Sequence, residues 1–411
     1  MEDRQMQGLI YDWNERGQEL PARVRPIELD DETLRDGLQN PSVTDPTLDE
    51  KKRILHLMDD LGIHTADLGL PGAGPRAREA VTALATEIRD AKLKIAANCA
   101  ARTVIADIQP VIDISQKVGI PIEVCAFIGS SPIRQYAEDW GVDKMLHHTE
   151  EAVTYAVKAG MPVMYVTEDT TRATPETMKA LFQTAIRCGA RRVCVCDTVG
   201  HIEPRGVRAL IAYVKQVVAE TGADVRIDWH GHRDRGLDLV NTLTAVEAGV
   251  DRVHGAACGI GERAGNTPMD LILVNLRLMG YLDNDLSKLP EYCRTVAEAT
   301  RVPLPPNYPA VGADAFRTGT GVHAAAVVKA QKKGDHWLAD RVYSGVPAGM
   351  LGLRQVIEVG PMSGISNVHA WLELRDIPAE KDVVDRIFAL AKTSTRVLTD
   401  DEILACVRGS G

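Results

Sequence analysis

The sequence has no CxxC pair among its 8 cysteines and no surplus of positive charge. Nowhere do about 18 apolar residues follow one another without a charge, the length a membrane span needs. A chain this long requires no disulfide framework to hold its core, so the scattered thiols are expected to be reduced. Lys+Arg 47 against Asp+Glu 57 gives a net charge of −10, which excludes a general electrostatic footprint for nucleic acid or an anionic membrane. The N-terminal stretch has no apolar run of signal-peptide length, and a cytoplasmic location is expected. Disorder is excluded for most of the chain by 45% hydrophobic and 25% charged residues. There is no low-complexity tract and no internal repeat beyond a βα unit.

What is present is a regular alternation. From about Pro26 to Gly280, eight short β-rich runs (PIELDDET, TADLGLP, KLKIAANCA, IPIEVCAF, MPVMYVTED, RRVCVCDT, DVRIDWHGH and RVHGAACG) are separated by helical patterning. The helical segments include Leu48 to Leu61, Thr103 to Val118, Glu150 to Ala159, Pro175 to Cys188, Pro204 to Thr221 and Leu237 to Ala248. Eight βα units over about 255 residues match a (β/α)8 TIM barrel better than an open doubly wound sheet. Then RVPLPPNYPAVG crowds four prolines into an extended connection. Beyond it come helical patterns at Gly321 to Lys332, Ala379 to Lys392 and Thr399 to Val407, with Gly-rich stretches among them. The expected organisation is residues 1–25 as an N-terminal extension, 26–285 as the barrel catalytic domain, and 286–411 as a small, mainly helical C-terminal appendage.

Active sites of such barrels lie at the C-terminal ends of the strands, so polar residues there are the candidates. Arg35 and Asp36 stand in the turn after the first strand. The seventh strand ends in His230-Gly231-His232, and alternate residues of a strand point the same way, which lets both imidazoles face the mouth. GIGERAGN after the eighth strand supplies glycines for close backbone approach and the amide oxygen of Asn266. One carboxylate, two imidazoles and an amide form a mixed N/O set for a divalent cation, with positions left for substrate oxygens. A dinucleotide-loop reading of GIGERAGN is weaker, because it follows the last strand and no acidic ribose ligand comes after it. Cys194 and Cys196, at strand spacing, are expected on the inner face of the sixth strand, where they either shape an apolar pocket with Met164 and Val166 or serve plain core packing. His147 and His148 are assigned to solvent at a polar helix start.

The chain resembles the 2-isopropylmalate, homocitrate and citramalate synthases along nearly its whole length. The resemblance is carried by TLRDGLQ (Thr33 to Gln39), SSPIRQY (Ser130 to Tyr136), EDTTR (Glu168 to Arg172), CDTVGHIEP (Cys196 to Pro204), HGH (His230 to His232), GIGERAGN (Gly259 to Asn266) and GVHAAAVVK (Gly321 to Lys329). It implies a divalent metal (Mn, Zn or Mg) on Asp36, His230, His232 and Asn266, with Arg35 beside the polarised ketone. It further implies Thr198 on the 2-oxo acid carboxylate, Glu168 near the reacting carbon and Gln39 among the substrate-binding residues. In the family a His and a Tyr from the partner subunit's appendage reach into the site, and His323 and Tyr343 match them. The implied partners are acetyl-CoA, a 2-oxo acid and a second copy of the chain. A base, with His323 supported by Glu168 as the candidate, takes a proton from the acetyl methyl, the enolate attacks, and thioester hydrolysis releases CoA.

The sequence also departs from the family pattern. Leu38 follows RDG where the synthases usually have Glu, so RDGLQN is also similar to hydroxymethylglutaryl-CoA lyases; GERAGN and the appendage argue against the lyase. Met164 and Val166 occupy the fifth-strand positions where homocitrate synthases carry an Arg and a Ser for a distal carboxylate, which favours an aliphatic acceptor. Arg134 in SSPIRQY pulls the other way, either as a partner for an acidic tail or as a surface ion pair. No leucine-binding regulatory domain is expected after Gly411. The resulting expectation is a 2-isopropylmalate synthase-like acyltransferase, with homocitrate or citramalate synthesis, an acyl-CoA lyase and a non-catalytic binding paralogue as alternatives.

Overall fold

The structure, a computed structural model, describes residues 8–16 and 25–409. Of the expected N-terminal extension, residues 1–7 and 17–24 lie outside the described residues. Eight parallel strands close into a barrel: β1 (Glu28–Asp31), β2 (Thr65–Asp67), β3 (Ala96–Arg102), β4 (Ile122–Gly129), β5 (Val163–Glu168), β6 (Arg192–Asp197), β7 (Arg226–Gly231) and β8 (Arg252–Gly255). Each pairs with the next, and β8 returns to β1 in the register Glu28↔Arg252 to Asp31↔Gly255. Every residue of β6 and β8 is buried, as expected where helices cover the outside and side chains fill the inside.

The outer ring consists of α1 (Leu48–Asp60), α2 (Pro75–Asp90), α3 (Ile105–Val118), α4 (Pro132–Glu138), α5 (Val142–Lys158), α6 (Pro175–Arg187), α7 (Pro204–Ala219), α8 (Asp238–Ala248) and α9 (Met269–Leu278). Their starts follow local chemistry. Thr47 and Glu50 close a capping box on α1, while Thr174 caps α6 with Pro175 at its first position. α5 begins at Val142, earlier than the apolar period indicated. His147 and His148 therefore lie within it rather than at its start; His147 is exposed, but His148 is half-buried near Trp140.

The lower barrel interior is charged. Arg192 bonds Glu28 at 2.6 Å and Asp228 at 2.7 Å; Arg252 bonds Asp228 and Glu123, each at 2.7 Å. Asn98 donates to both oxygens of Asp30 at 2.9 and 2.8 Å. Such a lattice is tolerated only because each buried charge meets an opposite one, and removing one partner typically costs about 3–5 kcal/mol.

α10 (Leu289–Thr300) follows. Its Leu289, Tyr292, Cys293 and Val296 are buried in the barrel's own hydrophobic core, so packing to the barrel continues beyond residue 285. After the Pro-rich connection come β9 (Arg317–Thr318), α11 (Gly321–Lys332), α12 (His336–Arg341), β10 (Val356–Ile357), α13 (Ile365–Glu373), α14 (Lys381–Thr393) and α15 (Asp400–Val407). β9 and β10 form a two-residue parallel pair. Val359, Val368, Trp371, Leu372, Ile387 and Ile403 build a separate small core there. Among the described residues no helix is long and apolar enough to cross a membrane.

Candidate active site

At the C-terminal end of the barrel lies a cavity of about 310 Å³ with two chemically different sides. Strand alternation decides which side chains reach it. Met164, Val166 and Glu168 point inward from β5, Cys194 and Cys196 from β6, His230 from β7 and His254 from β8, joined by His232 just beyond β7. Cys125, Met164, Cys194 and Cys196 form a buried apolar cluster with Val166 against it, and Ala100, Phe127 and Leu70 extend the wall.

The other side is polar. The turn after β1 presents Glu32, Arg35, Asp36 and Gln39 to the cavity. Nε2 of His230 lies 3.0 Å from Nε2 of His232, and the two stand 3.7 and 3.6 Å from Oδ2 of Asp36. Donors bonded at about 2.1 Å to one cation sit about 3.0–3.4 Å apart in octahedral or tetrahedral arrangement, so the trio fits a divalent ion. Asn266 forms an isolated bridge with His232, and its Oδ1 is buried without a partner. Two glycines make this loop feasible. Gly261 has φ +155°, and a Cβ there would come within 2.1 Å of Asn266 Oδ1; Gly265 has φ +113°, and a Cβ would strike the Gly259 carbonyl.

Arg35 donates to Asp67 at 2.7 Å, Glu32 at 2.9 Å and Asp36 at 3.1 Å, which fixes its guanidinium at the cavity edge. Burial raises the Asp36 carboxyl, but Arg35, His232 and His230 outweigh that and leave it below the usual carboxylate range. Burial and the neighbouring His230 push His232 down to about 4, so it stays a neutral donor at neutral pH. Thr198 lines the cavity, its Oγ1 accepting from the Asp169 amide at 2.8 Å. The Glu168 carboxylate also lines it, beside Arg134 at 3.8 Å.

Arg134 stays at the rim. It pairs with Glu138 at 2.9 Å one helical turn away and is not among the cavity-lining residues. His323 and Tyr343 are brought together, their rings stacked at 4.0 Å between centroids, but neither lines the cavity of its own chain and both are exposed. Sequence reasoning missed Glu32, Asp67 and His254. Glu32 accepts from His230 Nδ1 at 2.7 Å, from His254 Nδ1 at 3.1 Å and from Asn266 Nδ2 at 3.2 Å. The available signal was the shared parity of Glu28, Asp30 and Glu32, which places three acids on one face of the first strand.

Residues 26–296 match the family model described as HMGL-like. The chain is 32% identical over 398 residues to homocitrate synthase AksA of Methanopyrus kandleri, covering 94% of each chain. It is 31% identical over 400 residues to 2-isopropylmalate synthase of Methanocaldococcus jannaschii, covering 94% of this chain and 72% of that one. Among solved structures, HMG-CoA lyase from Bacillus subtilis superposes with a TM-score of 0.58 at 20% identity, over 70% of this chain and 98% of the lyase, which speaks to the barrel fold.

Proposed function

Because the chain belongs to the HMGL-like family, among relatives that join acetyl-CoA to a 2-oxo acid, we propose that it is a 2-isopropylmalate synthase-type acyltransferase acting on an aliphatic 2-oxo acid. The observation that carries the choice of acceptor is the composition of the cavity. Its wall is Cys125, Met164, Val166, Cys194 and Cys196, and the lining guanidiniums are already engaged, Arg35 by three carboxylates and Arg263 by Asp234. A distal carboxylate placed against that wall would lose its hydration without gaining a partner.

In this reading Asp36, His230, His232 and Asn266 hold a divalent cation, and Glu32 orients His230 and Asn266 from behind. When bound, such a cation supplies Lewis acidity to the ketone of the acceptor. Arg35, held rigid by its carboxylates, presents fixed positive charge where the alkoxide develops. Thr198 hydrogen-bonds the acceptor carboxylate, and Gln39 borders the same pocket. A base takes the proton from the acetyl methyl; His323 of a second copy, with Tyr343 beside it and Glu168 at the cavity wall, is assigned this role. The resulting carbanion attacks the ketone carbon, and water then cleaves the thioester to release CoA.

The test is CoA release from acetyl-CoA with 2-oxoisovalerate, pyruvate and 2-oxoglutarate, each with and without a chelator. The highest kcat/KM is expected for 2-oxoisovalerate, with activity abolished by chelation. A preference for 2-oxoglutarate would overturn the acceptor assignment and make Arg134 the selector. Cleavage of hydroxymethylglutaryl-CoA with no condensation would replace the synthase by the lyase.

A further inference from the structure

A second group of metal-type donors lies outside the barrel mouth, where three segments meet. Cys258 comes from the loop after β8, directly before GIGERAGN; Asp270 from the first turn of α9; and Cys293 from α10. Their two sulfurs and one carboxylate oxygen all lie within 4.8 Å of one another. Asp270 and Cys293 are fully buried.

Asp270 is oriented in a specific way. Its Oδ1 accepts the Cys258 backbone N–H at 2.7 Å, which anchors the carboxylate, while Oδ2 is left buried and free of any backbone donor. The hydroxyl of Tyr308, from the Pro-rich connection, is buried against the same carboxylate and interacts with it. Two thiols, a carboxylate and a phenol hydroxyl are thus gathered in one buried place, the donor types a thiophilic cation takes. Cys258 also takes a left-handed backbone conformation, φ +54°, to turn its side chain inward, where its Sγ lies 3.8 Å from the Cys293 carbonyl.

We propose that Cys258, Cys293 and Asp270 bind a thiophilic divalent cation, zinc first, with Tyr308 available as a fourth ligand. Two thiolates and a hard oxygen suit tetrahedral zinc, whose sulfur ligands sit about 3.8 Å apart when Zn–S is about 2.3 Å, so the donors need to draw together by no more than about 1 Å. Binding releases the two thiol protons to solvent, and the cation's charge replaces what burial now imposes. In its absence burial pushes the Asp270 carboxyl up to about 6 and the Cys293 thiol well above its ordinary value. The ion would tie together the loop bearing Asn266, two helices and the connection to the appendage. It is therefore a structural site, chemically distinct from the N/O set at the mouth.

The donor chemistry gives a selective readout. Cobalt(II) titrated into the metal-free full-length protein should produce near-ultraviolet thiolate-to-cobalt charge-transfer absorption, which Asp36, His230, His232 and Asn266 cannot generate. The band should persist in Asp36→Ala and be lost in Cys258→Ser and Cys293→Ser. In the wild-type protein, added zinc should slow alkylation of Cys258 by iodoacetamide at least tenfold, a measurement that needs no variant. Absence of the band, its survival in both serine variants, or alkylation of Cys258 indifferent to zinc would each overturn the proposal. So would recovery of a Cys258–Cys293 disulfide in the purified protein under non-reducing peptide mapping.

Discussion

Glu32 places one carboxylate oxygen 2.7 Å from Nδ1 of His230 and 3.2 Å from Nδ2 of Asn266. A proton on Nδ1 leaves Nε2 of His230 as the lone-pair donor toward Asp36 and His232, and holding the amide nitrogen of Asn266 sets which way its Oδ1 faces. One side chain thus governs two of the four proposed ligands. Burial alone would raise the Glu32 carboxyl, but His230 and Arg35 hold it well below the usual range, so it accepts as an anion.

Outer-shell carboxylates of this kind typically contribute about 10–100-fold in metal affinity. Glu32→Gln is expected to weaken manganese binding, which the thiol-rich site does not favour, by about that factor, read by competition with a fluorescent chelator, with circular dichroism unchanged. Native affinity in this variant would reduce Glu32 to a fold-supporting role.

Met164 sits in the apolar wall and packs its sulfur 3.2 Å from Arg252. Met164→Ala should open room for a longer acceptor and raise the kcat/KM ratio of 2-oxo-4-methylpentanoate over 2-oxoisovalerate by about tenfold, the usual scale for methylene-sized changes in a pocket. An unchanged ratio would place the acceptor's tail elsewhere.

The buried carboxylate of Asp228 bears on acid stability. Burial raises its pKa, but Arg252 and Arg192 outweigh that and hold it well below the ordinary carboxylate value of about 3.9. A depressed folded pKa means the contribution is complete above about pH 4 and is lost as the pH falls through the folded value. Asp228→Asn should therefore cost roughly 3–5 kcal/mol at pH 7 and progressively less in stronger acid. Urea unfolding of both proteins at a series of pH values checks the convergence.

His323 and Tyr343 form a stacked pair on the appendage, apart from the cavity of their own chain. If each pair completes a neighbour's site, His323→Ala mixed with Asp36→Ala should regain activity on subunit exchange, although both parents are inactive. A mixture that stays inactive despite verified exchange, or a native chain that is monomeric and fully active, rules out shared sites.

The barrel was legible because its strands are β-rich and regularly spaced, and His230, His232 and Asp36 because strand ends concentrate chemistry. The pairing of Glu32 with His254 was not legible. They are 222 positions apart, and only closure of β8 onto β1 makes them neighbours. On a single strand a lone acid or histidine looks like a turn residue or a solvated one. α13 escaped for a different reason: it starts inside the Gly-rich GPMSGISN, where local propensity opposes a helix, and Val368, Trp371 and Leu372 hold it through tertiary packing.

The cavity's two sides come from different sectors of the barrel. Glu32, Asp36, His230, His232 and His254 belong to β1, β7, β8 and their following turns; Ala100, Cys125, Met164, Val166, Cys194 and Cys196 belong to β3 through β6. On the proposed reading, the cation-holding groups and the acceptor wall are thus inherited on separate stretches of sequence, with Glu168 on the wall's side. Mutations that alter acceptor choice can accumulate within residues 96–197 while leaving the donor groups on the opposite arc unchanged. The same division suits laboratory evolution: a library confined to that stretch and sparing Glu168 samples new acceptors while Asp36, His230, His232 and Asn266 stay as they are.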